Sequence, residues 1–241
     1  MTCLRSFHNY IKSVLIKSVS SKGDILFDIA CGKAGDLSKW TNAKLSFVMG
    51  IDKSPDNIDN RVDGACARYL NFKKTHKHVP DALFVVGNSS INIRSGNAMK
   101  TDKGVQIIKA VFGEGGRDEK RLGKGIVKQY GKASSGFNVT SCQFSLHYFF
   151  EDIDLLQGFV RNVAEVTKLG GYFIATAYDG KTVFNMLKNK SIEDGISIYE
   201  DKVKLWEIKK RYSLNSFEDD SSCLGYTIDV FQESINKPIP E

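Results

Sequence analysis

The sequence predicts an α/β fold, a doubly wound and mostly parallel sheet, and three observations carry that expectation. Short apolar runs recur at 25–30, 47–51, 82–86, 137–143 and 172–176, the pattern of strands buried on both faces. Stretches of helical period separate them, which places helices on either side of a parallel sheet. The first run passes into the small-residue turn Cys31-Gly32-Lys33-Ala34-Gly35 and the second ends on Asp52. That is the layout of a ligand-binding edge at the carboxyl ends of parallel strands.

In chain order, Leu4, Phe7, Ile11, Val14, Leu15 and Ser18 recur at helical spacing, so 3–19 reads as an amphipathic helix that Gly23-Asp24 breaks. After the first strand, Asp36 is placed to cap a helix through Trp40. Pro55 opens a helix whose Val62, Ala65, Cys66 and Tyr69 share a face. From about residue 97 the alternation stops. Residues 100–135 are dense in Gly, Lys and Arg, with Gly113-Glu114-Gly115-Gly116 and Arg121-Leu122-Gly123-Lys124-Gly125 as extremes. They are expected to form an inserted, mobile basic loop. The alternation resumes with the fourth strand, a helix over 152–167, a turn at Gly170-Gly171, the fifth strand and a helix over 180–189. From 196 the pattern is strand-like, through Val203, Leu205, Trp206 and Ile208 and then Tyr226, Ile228 and Val230. No internal repeat or second boundary is visible, so 1–241 is read as one domain with a C-terminal β-rich segment, and a chain truncated at its C-terminus is an open reading.

Composition narrows the class. The chain has 241 residues, 41% hydrophobic and 26% charged, enough for one sizeable core. No apolar run approaches the roughly 20 residues of a membrane span, and Arg5, His8 and Lys12 break up any signal-peptide pattern. The expectation is a soluble, intracellular protein without a membrane partner. Five cysteines, scattered and without a C-x-x-C pair, support neither a disulfide framework nor a zinc site. A net charge of +6 permits an anionic partner such as RNA without requiring one.

The run from Asp28 to Asp36 is the most informative. Ala30, Gly32 and Gly35 let a ligand approach the backbone, and Asp52 is placed to accept both hydroxyls of a ribose. An acid there would equally suit a dinucleotide, but the glycines are not spaced G-x-G-x-x-G and no P-loop is present. Asp28 and Asp36 would repel a pyrophosphate and suit a ligand bearing an ammonium and a sulfonium. The loop therefore favours S-adenosylmethionine (SAM) over a nucleotide cofactor.

Four segments together resemble the mRNA cap guanine-N7 methyltransferases, in the form found in capping enzymes of large DNA viruses, over nearly the whole chain. They are the run Leu4 to Ile16, the loop 28–37, Ser141-Cys142-Gln143-Phe144-Ser145-Leu146-His147-Tyr148, and Gly170-Gly171-Tyr172-Phe173-Ile174. The resemblance implies a class I SAM-dependent methyltransferase (Rossmann-like) fold. It implies SAM as cofactor, with S-adenosylhomocysteine as product, and the capped 5′ end of mRNA (GpppN) as acceptor. On that resemblance Lys12 contacts SAM, the Ala30 backbone and Asp36 hold its methionine end, and Asp52 holds the ribose. Asn88 stands at the adenine, and Gln143 and Tyr148 line the transfer pocket. For the cap, His8 and Asn9 fall on an adjacent Asn pair of the family. Phe144, His147 and Tyr148 flank the guanine, and Lys33, Lys39 and Arg68 face the triphosphate. Glu241 falls on a late acid that bonds the guanine edge. The chain departs from the family at Ala30, which replaces a Gly, at His8, which replaces the first Asn, and at Asn88, which replaces an acid. Ala177-Tyr178-Asp179 stands where Pro is frequent, and family members usually continue past the position of Glu241 into further strands. An RNA triphosphatase or guanylyltransferase, linked or associated, is an implied partner, and the implied compartment is the cytoplasm for a viral protein and the nucleus for a cellular one.

Guanine N7 needs no deprotonation and a sulfonium leaves readily, so no catalytic base or metal is expected, only in-line positioning. Two further readings stand beside this one: a SAM methyltransferase with another acceptor, and a non-catalytic module that binds SAM or capped RNA.

Overall fold

The computed structural model describes residues 3–232 and 238–240. Five strands, β1 (Ile25–Asp28), β2 (Phe47–Asp52), β3 (Asp81–Val86), β4 (Phe137–Gln143) and β5 (Thr167–Thr176), form a sheet in the order β3-β2-β1-β4-β5. Every pairing in it is parallel, with Phe27 opposite Met49 and Thr140, and Asp28 opposite Gly50 and Ser141. The chain direction across the sheet reverses between β1 and β4, so the carboxyl ends of these two strands form the crevice that such folds use for ligands.

Alternate residues of each strand feed two different cores. Leu26, Val48, Phe84 and Val139 pack with Ile16 of α1 (Cys3–Val19), Leu37 and Trp40 of α2 (Leu37–Asn42), and Ala65 and Tyr69 of α4 (Ala65–Thr75). Phe27, Met49, Val85 and Phe137 pack with Ile108, Val111 and Phe112 of α5 (Asp102–Phe112), and with Phe159 and Val166 of α8 (Ile153–Val166). Burial on both faces explains why the central strands β1, β2 and β4 read as continuous apolar runs.

The C-terminal strands do not join this sheet. β6 (Gly195–Glu200), β7 (Val203–Lys210), β8 (Ile228–Gln232) and β9 (Pro238–Pro240) form a separate antiparallel sheet in that order. Helix α9 (Gly180–Leu187) seats Val183, Phe184 and Leu187 against Ile208, Ile228 and Val230 of that sheet.

Several sequence expectations are corrected. Residues 100–135 carry three helices where a loop was expected. Thr101 caps α5 by accepting a hydrogen bond from Gly104 N, and Gly113 closes it in the left-handed conformation. The short helices α6 (Glu119–Leu122) and α7 (Lys124–Val127) follow, with Leu122 and Ile126 buried against Ala110. The density of Gly and Lys conceals an apolar face at helical spacing in Ile108, Val111 and Phe112. The helix opened by Pro55 stops after one turn as α3 (Pro55–Asp59). Asn60 Oδ1 accepts from Val62 N and Asp63 N in the turn that follows, so Val62 is exposed and shares no face with Tyr69. Gly170-Gly171 lies within β5, at a bulge where pairing with β4 jumps from Phe137–Thr167 to Val139–Tyr172. Asp36 stands at the N-cap of α2 as expected but makes no capping hydrogen bond, because its carboxylate is taken by lysines.

Candidate active site

The chain leaves β1 through a turn tied to both neighbouring strands: Ile29 N donates to Ser141 O and Cys31 N to Ile51 O, each at 2.9 Å. Gly32 and Ala34 adopt positive φ, and a Cβ on Gly32 or Gly35 would meet no atom within 4 Å, so the loop borders open space. Asp52 receives Gly32 N on Oδ2 (2.9 Å), and Ser54 N (2.9 Å) and Asn57 Nδ2 (3.0 Å) on Oδ1. Three donors leave a carboxylate room for another, so a sugar hydroxyl could still bond Oδ2.

Asp28 is 4% exposed at the end of β1. Burial, with the nearby Asp36 charge as the second cause, pushes its carboxyl from the usual 3.8 to about 8. A third carboxylate, Asp52, adds to the same field. A concentration of acids beside an open glycine-lined turn is what an ammonium and a sulfonium would relieve, so the residues present fit SAM.

Behind this loop lies a buried charge network. Asp36 Oδ1 is 2.6 Å from Lys12 Nζ on α1 and 2.9 Å from Lys39 Nζ, and Lys39 also donates to Asn9 Oδ1 at 2.8 Å. Lys39 is therefore buried, its ammonium held by Asp36 and Asn9, and the two lysines share one carboxylate. Asp36 likewise holds Lys12 in place before it can meet a ligand. Arg5, His8, Asn9, Lys12, Lys39 and Arg68 line one cleft of about 720 Å³ between α1, α2 and α4. Lys33 is not among the cleft residues: its ammonium bonds Asp63 (2.8 Å) and Asp56 (2.9 Å) on the outer surface.

At the end of β4, Gln143 spans to β5, donating to Ser141 Oγ (3.1 Å) and accepting from Thr176 Oγ1 (3.2 Å). Phe144 turns the chain with φ of 55°, and its ring packs on His8, centroids 4.4 Å apart, which joins α1 to this edge. Residues 146–150 form a 3-10 helix presenting His147 and Tyr148, whose rings lie 4.3 Å apart. Burial pushes the His147 imidazole down to about 4, so it is neutral near pH 7. Lys53, next to Asp52, holds its ammonium 5.9 Å from the Tyr148 ring centre. Lys53, His147 and Tyr148 border a second cavity of about 530 Å³, walled also by Tyr178, by Phe184 of α9 and by Tyr226 of the C-terminal segment.

Ala30 and Asn88 each lie two residues beyond the carboxyl end of a strand, β1 and β3. Ala30 N donates to Asp28 Oδ1 at 3.4 Å. Asn88 Oδ1 accepts from Ser90 N at 3.0 Å, which leaves its amide nitrogen as the group that can face a base. Glu241 lies outside the described residues.

Sequence reasoning missed the supports of this edge. Asn162, fully buried on α8, donates to Ser89 O and Ile91 O (2.7 Å each) and accepts from Ile93 N (2.9 Å). Ser89 in turn donates to Ile29 O at 2.6 Å. Together they fix the loop that carries Asn88 against the turn after β1. The available signal was a polar Asn162 in register with the apolar Phe159 and Val166. Also unforeseen was Tyr178, whose hydroxyl accepts from Trp206 Nε1 (2.9 Å) and Gln232 Nε2 (2.6 Å) and ties the aromatic cavity to the antiparallel sheet.

The described cysteines, Cys31, Cys66, Cys142 and Cys223, are free thiols. No helix among the described residues is long and apolar enough to cross a membrane.

Comparison with known proteins adds the family. Residues 1–220 match the family model of the mRNA (guanine-N(7))-methyltransferase domain. A probable mRNA-capping enzyme of Acanthamoeba polyphaga mimivirus is 30% identical over 239 residues, 98% of this chain but 19% of that protein. The mRNA cap guanine-N(7) methyltransferase of Saccharomyces cerevisiae is 30% identical over 202 residues, 82% of this chain and 38% of that one. The chain thus spans less than half the length of either. Among solved structures, the CcbJ methyltransferase of Streptomyces caelestis aligns with a TM-score of 0.50 over 96% of this chain and 70% of its own, at 12% identity, a likeness of fold.

Proposed function

The chain belongs to the mRNA (guanine-N(7))-methyltransferase domain family, and from that premise we propose that it methylates guanine N7 of the GpppN cap with SAM as methyl donor. The observation that carries the reading is the open turn after β1, bordered by Asp28, Asp36 and Asp52 and flanked by a basic cleft and an aromatic cavity. When bound, SAM supplies a sulfonium-activated methyl group. Asp52 takes the ribose, Asn88 the adenine, and Lys12 the carboxylate of the methionine end. Asp28 and Asp36 supply the negative field for the ammonium.

The acceptor base enters the aromatic cavity along the wall that His147 and Tyr148 form together. Guanine gains positive charge as N7 is methylated. A neutral His147 adds no repulsion, and aromatic faces at Phe144 and Tyr148 favour a cationic ring. No residue is assigned as a base, since N7 has its lone pair free; the rate comes from holding the reacting atoms in line. Arg68 and Arg5 in the cleft neutralise the triphosphate without reading sequence. Capped RNA is the partner. An RNA triphosphatase or guanylyltransferase, linked or associated, would prepare that substrate, in the cytoplasm for a viral protein and in the nucleus for a cellular one.

The test is calorimetric binding of SAM together with methyl transfer to capped RNA, for wild type and Asp52→Ala. Loss of both in a variant that keeps its circular dichroism spectrum is expected. Full activity in Asp52→Ala would remove the ribose assignment.

A further inference from the structure

Three lysines from two segments converge on one carboxylate at the outer edge of the parallel sheet. Asp81 opens β3, the edge strand. Lys73 of α4 lies 3.6 Å from its Oδ1, and Lys128 and Lys132, beyond α7, lie 2.8 and 3.9 Å from its Oδ2. Gln129 Nε2 adds a fourth donor at 3.0 Å. One negative charge thus faces three positive ones. The Asp81 side chain is 22% exposed, while those of Lys73 and Lys128 are 50% and 67% exposed, so the surplus positive charge faces solvent.

The neighbouring chain extends the patch. Residues 100–135 hold nine Lys or Arg against four Asp or Glu, most of the chain's +6. Leu122 and Ile126 pin the apolar side of α6 and α7 inward, and Lys120, Arg121 and Lys124 are exposed. The patch also joins the cleft. Arg68, which lines it, is on α4, and Lys73 follows about 7.5 Å farther along the helix axis. Lys73 is turned about 140° around the helix from Arg68, so a single strand leaving the cleft has to wrap over α4 to meet Lys73 and the rest of the Asp81 cluster.

We propose that this edge, Lys73, Lys128 and Lys132 around Asp81 continued by Arg121 and Lys124, binds the phosphodiester backbone of the transcript downstream of its cap. It is a second RNA surface, outside the cap pocket and indifferent to sequence. Ammonium and guanidinium groups on flexible stems neutralise phosphates without reading bases, and such binding weakens steeply with salt. The proposal rests on capped RNA being the acceptor, so its test separates the two.

Binding of an uncapped ten-nucleotide RNA is measured by fluorescence anisotropy across a salt series, and methylation of the dinucleotide GpppA is measured beside it. The variant Lys73→Ala/Lys128→Ala/Lys132→Ala is expected to bind the RNA about tenfold more weakly and to lose about 2 from the slope of log affinity against log salt. Its kcat and KM for GpppA should equal those of wild type, which also shows that it folds. Asp81→Asn, which removes the one negative charge, should bind the RNA more tightly. Wild-type RNA affinity in the triple variant would overturn the proposal, as would weakened binding in Asp81→Asn, the mark of a purely structural cluster. If wild type methylates no cap while RNA affinity still depends on the three lysines, the acceptor reading fails and the surface stands.

Discussion

Asp28 is held protonated near pH 7 by burial and by the Asp36 charge, and this has consequences for both binding and stability. The pKa is about 8 against the usual 3.8, so the folded state keeps a proton that the unfolded chain releases. Stability contributed by this group is highest at low pH and declines as pH rises from about 4 to about 8. Asp28→Asn should flatten that decline and raise the melting temperature at about pH 9, as read by thermal unfolding across pH. A ligand bringing an ammonium to this site favours the ionised form, so SAM binding near pH 7 should release close to one proton. Calorimetry in buffers of different ionisation enthalpy reads that number directly, and equal enthalpies in all buffers would contradict it. His147 shifts the other way, down to about 4 by burial. Its protonation therefore falls below the working range, and kcat/KM should not drop through an imidazole titration between about pH 8 and pH 6. A fall with an apparent pKa near 6.5 would show His147 to be solvated. These shifts were not legible in the sequence, because they come from burial and through-space charge. The acids themselves were legible, since Asp28, Asp36 and Asp52 sit in a recognisable strand–turn–strand frame.

At the scale of elements, the alternation of apolar runs gave all five parallel strands, because β1, β2 and β4 are buried on both faces and the edge strands β3 and β5 keep an apolar run although they are only partly covered. It failed where local composition and tertiary context disagreed. Gly and Lys in 100–135 pointed to a loop, yet α5 puts Ile108, Val111 and Phe112 into the main core. Ile108→Ala should therefore cost about 3 kcal/mol in urea unfolding, the range for a large-to-small change in a packed interior; a negligible change would return the segment to the surface. The loop after β3 tests a second element. A Cβ on Gly158 of α8 would collide with the Ser90 carbonyl oxygen, one residue from Ser89 and two from Asn88. Gly158→Ala should displace that loop, destabilise the protein by about 1–3 kcal/mol and weaken SAM binding several-fold. Unchanged affinity with lowered stability would separate Asn88 from the cofactor site. The glycine was silent in the sequence, because its constraint comes from a loop more than sixty residues away.

For the molecule as a whole, the parallel sheet supplies the rigid edge, and α9 with the segment leading into β8 of the antiparallel sheet supplies one wall of the aromatic cavity. Tyr178 joins them through Trp206 and Gln232. That second sheet was legible as strands but not as a separate sheet, because strand pattern carries no pairing partner. The candidate residues separate in the same way. His8, Asn9, Lys12, Lys39 and Arg68 do share a cleft, since three helices, α1, α2 and α4, bring them together. Lys33, adjacent to the glycine turn in sequence, points instead to Asp56 and Asp63. A ligand that binds only the folded chain adds stability by mass action, about 2.7 kcal/mol at a hundredfold excess over its Kd. SAM or S-adenosylhomocysteine should accordingly raise the melting temperature of wild type and leave that of Asp52→Ala unmoved. The most direct measurement is methyl transfer from radiolabelled SAM to GpppA-capped RNA, with GTP and uncapped triphosphate RNA alongside, followed by digestion and chromatography of the product. The account predicts label that co-migrates with 7-methylguanosine from the capped RNA and is lost in Asp52→Ala. Label on any other position, or faster labelling of an acceptor without a cap, would contradict it.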